Sequence, residues 1–337
     1  MRNITIGILG ATGAVGTEMR KIMEERNVLC GNLRLLADHN DAGTRVSFRG
    51  KEYVVEEATD DAFDGIDILM VAVSNAVSQR FSPVAVKKGA IVIDNSSAYR
   101  MNQEVPLIIP EINPEDIALH KGIIANPNCS TVIALMAVYA LHHVHPIKRM
   151  IVSTYQAVSG AGINGIKELE HQVEDYTAGR ELHSQVFQHR IAFNLIPHID
   201  SFLDNYYTKE EMKMVNEGRK ILHDDTIGIT CTCIRVPVFR SHSESIYVEF
   251  DKEISVAEAK SLLQNAAGVK LVDEPAENKY PMPLDTSDQD LVYVGRIRQD
   301  ITEKNALNIW CCGDQIRKGA ATNAVQIAEL VISRYFS

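Results

Sequence analysis

The first third of the chain carries short apolar runs that do not alternate with polar residues. I-T-I-G-I-L (4–9), Leu33–Ala37, I-D-I-L-M-V-A-V (66–73), A-I-V-I-D (90–94) and G-I-I-A (122–125) are separated by stretches with helical character. Strands buried on both faces read this way, so the pattern predicts a parallel sheet covered by helices, an α/β domain. From about residue 150 the pattern changes. M-I-V-S-T-Y-Q-A-V-S, T-C-T-C-I-R-V-P-V-F, S-I-Y-V-E-F and A-L-N-I-W-C-C alternate over longer spans, as antiparallel strands with one buried face do. V-I-A-L-M-A-V-Y-A-L (132–141) has no Gly, Pro or charge and reads as a buried helix. T-K-E-E opens a helix over 208–222 with a capping box at Thr208 and Glu211. The last helix has an apolar face that can pack back on the first domain. The expected division is residues 1–128 with the C-terminal segment 315–337 as one domain, and an α+β domain over 129–314.

Composition narrows this picture without changing it. A chain of 337 residues accommodates two cores, and 45% hydrophobic with 23% charged residues is ordinary for a globular protein. The net charge of -10 argues against general nucleic-acid binding, because no basic field draws in phosphate backbones. No apolar run reaches the roughly 18 residues needed to cross a bilayer, so no membrane partner is expected. The N-terminal M-R-N-I-T-I-G-I-L-G lacks a signal-peptide core and enters a strand at once. Six cysteines (30, 129, 231, 233, 311, 312) include no C-x-x-C pair, so reduced thiols in a cytoplasmic protein are expected.

Several motifs carry candidate chemistry. G-A-T-G-A-V-G, from Gly10 through Thr12, Gly13, Ala14 and Val15 to Gly16, follows a strand and opens a helix. Such a turn lets the backbone approach a pyrophosphate on the helix N-terminus, so a dinucleotide-binding domain of Rossmann type is expected. Cys129 stands in N-P-N-C-S-T at the mouth of the buried helix. Unpaired N–H groups there favour thiolate over thiol and make it a candidate nucleophile; a small buried core residue is the alternative. His242 lies in V-P-V-F-R-S-H-S-E-S between two strands, as a proton partner for that thiol or as a plain turn histidine. Arg100 ends D-N-S-S-A-Y-R just past a strand, and Arg235 interrupts the apolar I-R-V-P-V. A buried arginine needs an anion, either a protein or a substrate carboxylate. Glu217 and Lys220 are i and i+3 on one helix, as ligands or as a solvated pair. His142, His143 and His145 end the buried helix, where imidazoles cap carbonyls, so no metal site is expected.

Taken together, these segments and Y-Q-A-V-S-G-A-G, N-E-G-R-K-I, R-V-P-V-F-R-S-H-S-E, Y-V-G-R-I-R and D-Q-I-R-K-G-A-A-T-N resemble the aspartate-semialdehyde dehydrogenases along essentially the whole chain. The resemblance implies NADP-dependent reductive dephosphorylation of L-aspartyl 4-phosphate on the route to lysine, threonine, methionine and isoleucine. By the same resemblance Cys129 is the acyl-thioester nucleophile, His242 the acid/base, and Gln156 orients the substrate or thioester. Arg235 holds the α-carboxylate, Glu217 the α-amino group, and Arg100 with Lys220 the phosphate. Thr12 to Val15, Ser159 and Gly160 line the cofactor, with a further contact at Gln315. The second domain becomes catalytic and dimerising, and the assembly a homodimer or homotetramer. Related readings are an N-acetylglutamyl-phosphate reductase, which has no need of a carboxylate at Glu217, and a silent dinucleotide-binding paralogue.

The chain departs from the family in L-A-D-H-N-D-A-G (36–43), where many relatives read L-A-S-x-R-S-A-G, and in D-Q where many read D-N. Asp38 falls where a dinucleotide fold places the acceptor for the adenosine 2′-hydroxyl. Asn40 and Asp41 replace the Arg and Ser expected around a 2′-phosphate. Two carboxylates with no nearby cation, Arg45 and Arg49 being the only ones able to fold back, predict a preference for NAD or dual use.

Overall fold

The computed structural model describes residues 3–336. Met1, Arg2 and Ser337, which the expected domain limits include, lie outside the described residues. The chain forms two compact units, one running to Asn128 and resuming at Ala320, the other Cys129–Gly319.

In chain order the first unit contains β1 (Thr5–Leu9), α1 (Ala14–Glu25), β2 (Asn32–Ala37), β3 (Arg45–Phe48), β4 (Lys51–Val54), β5 (Glu56–Glu57), β6 (Ile68–Val71), α2 (Asn75–Lys87), β7 (Ile91–Asp94) and β8 (Ile123–Ala125). Six of these strands form one sheet in the order β5-β2-β1-β6-β7-β8, and every neighbouring pair is parallel. Ile6, Ile8, Leu33, Leu35 and Met70 point to one face, against α1 and the C-terminal helix Thr322–Tyr335. Leu9, Leu36, Leu69, Val71 and Val92 point to the other, against Phe81 and Ala85 of α2. Both faces are dry, which is why these strands read as continuous apolar runs. β1 lies between β2 and β6, where the winding of the sheet reverses, and ligands of open α/β sheets bind outside such a point. The β3–β4 hairpin was not evident from the sequence pattern. Its turn is Arg49–Gly50, both with positive φ, and R-G is a weaker hairpin signal than N-G or D-G.

The second unit contains α3 (Cys129–Val144), β9 (Ile147–Gln156), α4 (Ile163–Thr177), α5 (Lys209–Leu222), β10 (Gly228–Arg235), β11 (His242–Phe250), α6 (Val256–Gln264), β12 (Val269–Leu271), β13 (Val292–Gln299) and β14 (Ala306–Gly313). Its sheet has the order β10-β9-β11-β14-β13-β12. The three inner pairs are antiparallel, but β9–β10 and β12–β13 are parallel. Alternation reports one buried face and carries no information on direction; β9 and β10 are joined through α4 and α5, the long connection a parallel pair requires. α3 packs on this sheet and touches α5 and α6, so it is apolar nearly all round. Between α4 and α5 the chain is largely irregular and is stapled to α4. Glu168 accepts the N–H groups of Gln185, Val186 and Phe187, and Gln172 accepts those of Ile191 and Ala192.

The capping box at the start of α5 is formed. Thr208 Oγ1 accepts from Glu211 N at 3.2 Å, and Glu211 Oε2 accepts from Thr208 N at 2.7 Å. Glu211 Oε1 also accepts from Cys233 N at 3.1 Å, tying the helix to β10. Thr208→Ala should therefore cost about 1 kcal/mol, and Glu211→Ala more, because it also strands the buried Cys233 N–H. Urea midpoints will check the order; a Glu211→Ala midpoint above that of Thr208→Ala contradicts it.

Candidate active site

Three strands of the second unit deliver polar side chains to one end of the sheet. Gln156 is the last residue of β9, Arg235 the last of β10 and paired with it, and His242 the first of β11. Side chains two residues apart share a face, so the same face continues through Thr154, Cys233, Glu244 and then the apolar core. Arg235, Gln156 and His242 are all buried.

Cys129, the first residue of α3, meets this row: its Sγ lies 3.5 Å from His242 Nε2. His242 Nδ1 accepts the backbone N–H of Ala157 at 3.1 Å. A backbone amide can only donate, so the ring proton of the neutral imidazole sits on Nε2, facing the sulfur. Burial, and next the Arg235 charge, push the His242 pKa down to about 3, against an opposing pull from Glu210. The ring is therefore a neutral Nε2–H donor. The peptide N–H on Nδ1, invisible in a one-dimensional pattern, leaves Nε2 as the ring atom that faces the sulfur.

Arg235 NH1 donates to Ala157 O at 2.7 Å, so a single residue's backbone positions both the imidazole and the guanidinium. The guanidinium lies over the Phe187 ring, 5.8 Å from its centroid. Gly160 closes on this pair; a Cβ there would stand 2.7 Å from Arg235 NH1. Gln156 Oε1 accepts from Thr154 Oγ1 at 3.0 Å, while its Nε2 donates to Glu210 Oε1 at 3.1 Å and lies 3.4 Å from His242 Nε2. Ser159 and Gln315 are hydrogen-bonded to each other, and Gln315 Oε1 accepts from Ser241 N at 2.9 Å. Gln315 thus ties two loops of the site, a use that its place in D-Q-I-R did not suggest.

Glu217 is 1% exposed, which removes the solvated-pair reading, and Lys220 is half-buried on the same helix. In the first unit Arg100 is buried and donates to Asn126 O at 2.9 Å and Asn95 O at 2.8 Å. His142 Nδ1 accepts the N–H of Ile147 rather than capping a carbonyl, and His145 pairs with Glu258. Glu210, Thr154 and Gly319 were missed. Glu210 reads only as a first-turn acid of α5, and Gly319 carries no signal although a Cβ there would lie 2.9 Å from Cys129 Cβ.

The first unit holds a cavity of about 430 Å³ at the C-terminal end of β1, lined by Gly10, Thr12, Gly13, Asp38, His39, Asp41, Glu57 and Arg80 among others. Gly10 has φ +85°, and no side chain caps the start of α1 at Ala14 and Val15. A helix N-terminus left without a side-chain cap, facing a glycine turn, fits a dinucleotide pyrophosphate. Asp38 Oδ1 accepts from Asn40 N at 2.8 Å, and Asp41 Oδ2 accepts from Thr12 Oγ1 at 2.5 Å. Arg45 pairs with Glu52, and Arg49 donates to Met23 O and Val28 O, so neither folds back. The cavity nevertheless has cationic character from Arg80 on α2, which corrects the expectation of none, and a third carboxylate at Glu57.

Residues 5–120 match the family model described as semialdehyde dehydrogenase, NAD binding domain, and residues 139–318 that described as semialdehyde dehydrogenase, dimerisation domain. The aspartate-semialdehyde dehydrogenase of Synechocystis sp. is 48% identical over 331 residues, covering 98% of both chains. That of Aquifex aeolicus is 49% identical over 331 residues, covering 97% of each. Aspartate semialdehyde dehydrogenase II of Vibrio cholerae, solved in complex with ASA, is similar with a TM-score of 0.97 at 40% identity over 100% of both chains.

The neutral His242 has a pH signature. Its folded pKa of about 3 lies below the unfolded value of roughly 6.5, so between these the unfolded chain binds the extra proton. Its contribution is complete above roughly pH 6.5 and stability falls as pH drops towards 3. Nitrogen-15 NMR of labelled histidine should show His242 in the neutral Nε2–H form throughout pH 5 to 8; an imidazolium signal in that window contradicts the assignment.

Proposed function

The chain belongs to the aspartate-semialdehyde dehydrogenases, and from that premise we propose that it converts L-aspartyl 4-phosphate to L-aspartate 4-semialdehyde and phosphate through a thioester on Cys129. The observation that carries this is the Cys129–His242 contact of 3.5 Å inside a buried ring of Gln156 and Arg235. Cys129 Sγ, as thiolate, attacks the acyl carbon; the C–S bond forms as the C–O bond to phosphate breaks. The start of α3, the Nε2–H of His242 and the nearby Arg235 all favour negative charge on sulfur. Nε2–H groups of His242 and Gln156 lie 3.4 Å apart as two donors, and an acyl oxygen lying to one side of both would accept from each.

A nicotinamide cofactor, when bound, would supply hydride to the thioester carbon. The same two donors would hold the oxyanion of a hemithioacetal on Cys129, whose collapse would give aldehyde and thiolate. Thiolate attack and collapse of the oxyanion take no proton from His242; the departing phosphate takes up one proton from solvent, which balances the reaction. Arg235 is assigned to the α-carboxylate, Glu217 to the α-amino group, and Lys220 and Arg100 to the phosphate. The carboxylate of Glu217 suits a free amine better than an acetylated one.

For the cofactor, Gly10, Thr12, Gly13, Ala14 and Val15 would hold the pyrophosphate, and Asp38 the adenosine ribose, with Ser159, Gly160 and Gln315 also assigned to it. Asp38, Asp41 and Glu57 outnumber Arg80 in the cavity, which supports NAD over NADP, or dual use. The unit to Asn128 with the C-terminal helix is then the dinucleotide-binding domain, and the second unit the catalytic and dimerisation domain. A cytoplasmic homodimer or homotetramer completes the reading. Among the described residues no helix is long and apolar enough to cross a membrane.

Cys129→Ala should abolish turnover in an assay of semialdehyde, phosphate and NAD(P)⁺ while leaving dinucleotide affinity nearly unchanged. Retention of a tenth of the parent rate would overturn the thioester. Separately, Asn40→Arg with Asp41→Ser should move kcat/KM towards NADP⁺, roughly tenfold per 1.4 kcal/mol of differential binding. Strong NADP⁺ selectivity in the parent would refute the NAD preference and leave the catalytic assignment standing.

A further inference from the structure

Gln156 is useful as an oxyanion donor only if its NH₂ end, and not its carbonyl, faces His242. The two ends of a primary amide have nearly the same shape, so packing alone does not choose between them. Thr154 does not choose either: its hydroxyl donates to Gln156 Oε1 at 3.0 Å, and after a flip it could accept from the NH₂ group instead. Glu210 does choose. Its Oε1 lies 3.1 Å from Gln156 Nε2, and a carboxylate can only accept, so a flipped amide would set oxygen against oxygen. Lys213 Nζ donates to the other Glu210 oxygen at 2.9 Å and to Asp200 Oδ2 at 3.1 Å, which anchors the carboxylate to the first turn of α5 and the loop before it. Glu210 is itself buried, and its charge is felt at both His242 and Arg235.

We propose that Glu210 is a positioning residue for the reaction, acting through Gln156 by fixing which end of its amide faces the acyl oxygen. This rests on the oxyanion role given to Gln156 above. Glu210 touches neither sulfur nor substrate in this role; it sets the polarity of the residue that does.

A double-mutant cycle tests it. Glu210→Leu is paired with Lys213→Met, so that no cation is left buried alone, and made in the parent and in Gln156→Ala. In the parent, kcat should fall tenfold or more with KM for aspartate semialdehyde within about twofold, since an oxyanion donor is worth roughly 10² to 10³ in kcat. In the Gln156→Ala background the same change should cost less than twofold, because the amide it orients is gone. An equal loss in both backgrounds, or a loss confined to KM, overturns the proposal. If the paired variant does not fold, as judged by urea midpoint, Glu210→Gln takes its place. A neutral amide can itself flip, so kcat should fall in the parent and not in Gln156→Ala; equal losses again overturn it. Parental kcat in Gln156→Ala would overturn the oxyanion role beneath it, a result distinct from survival of the Cys129→Ala enzyme, which would remove the thioester itself.

Discussion

The second unit is organised by one constraint: polar side chains must act at the buried end of a sheet, where every hydrogen-bonding group needs a partner. Leaving one unsatisfied costs roughly 1–3 kcal/mol. The backbone of Ala157 meets much of this demand, with its N–H given to His242 and its carbonyl taking Arg235. Because Ala157 follows the last residue of β9, it lies beside the ends of both neighbouring strands. The strand order β10-β9-β11 is what lets one peptide serve both.

The same constraint separates Cys129 from the other thiols of this unit. Cys231, Cys233, Cys311 and Cys312 are buried within the sheet. The Cys231 thiol is pushed well up by the neighbouring Cys233 and by burial, Cys311 by burial, and Cys312 by burial to about 12. Behind the row of Gln156, Arg235 and His242, Glu244 is wholly buried with neither carboxyl oxygen hydrogen-bonded, and burial pushes its pKa well up. A carboxyl raised in this way adds little charge next to His242. Cys129 alone of this unit's cysteines is half-buried and begins a helix. Reactivity therefore follows position in the fold and not the residue type.

In the first unit the sheet supplies position and the glycine turn supplies access. Net charge says little here: on a chain of net charge -10, the cavity at the end of β1 gathers three carboxylates, with Arg80 as counter-charge. Asp41 is hydrogen-bonded to Thr12, so part of the acidity of this cavity serves its own loop.

The periodicity of the chain by itself determined the parallel sheet, the buried helix beginning at Cys129 and the capping box at Thr208, because each is a local pattern with a single physical reading. Motifs and the family resemblance singled out Cys129, Gln156, Arg235 and His242 for the same reason: reactive residue types are visible one at a time. Strand direction at the edges of the second sheet was not legible, since alternation is the same for parallel and antiparallel strands. Nor was the protonation of His242, the orientation of the Gln156 amide, the arrival of Arg80 in the cavity, or the need for glycine at 319. Each depends on a partner tens of residues away or on a backbone group with no letter in the sequence. Only the tertiary structure brings those partners within hydrogen-bonding distance, and it is there that their chemistry was decided.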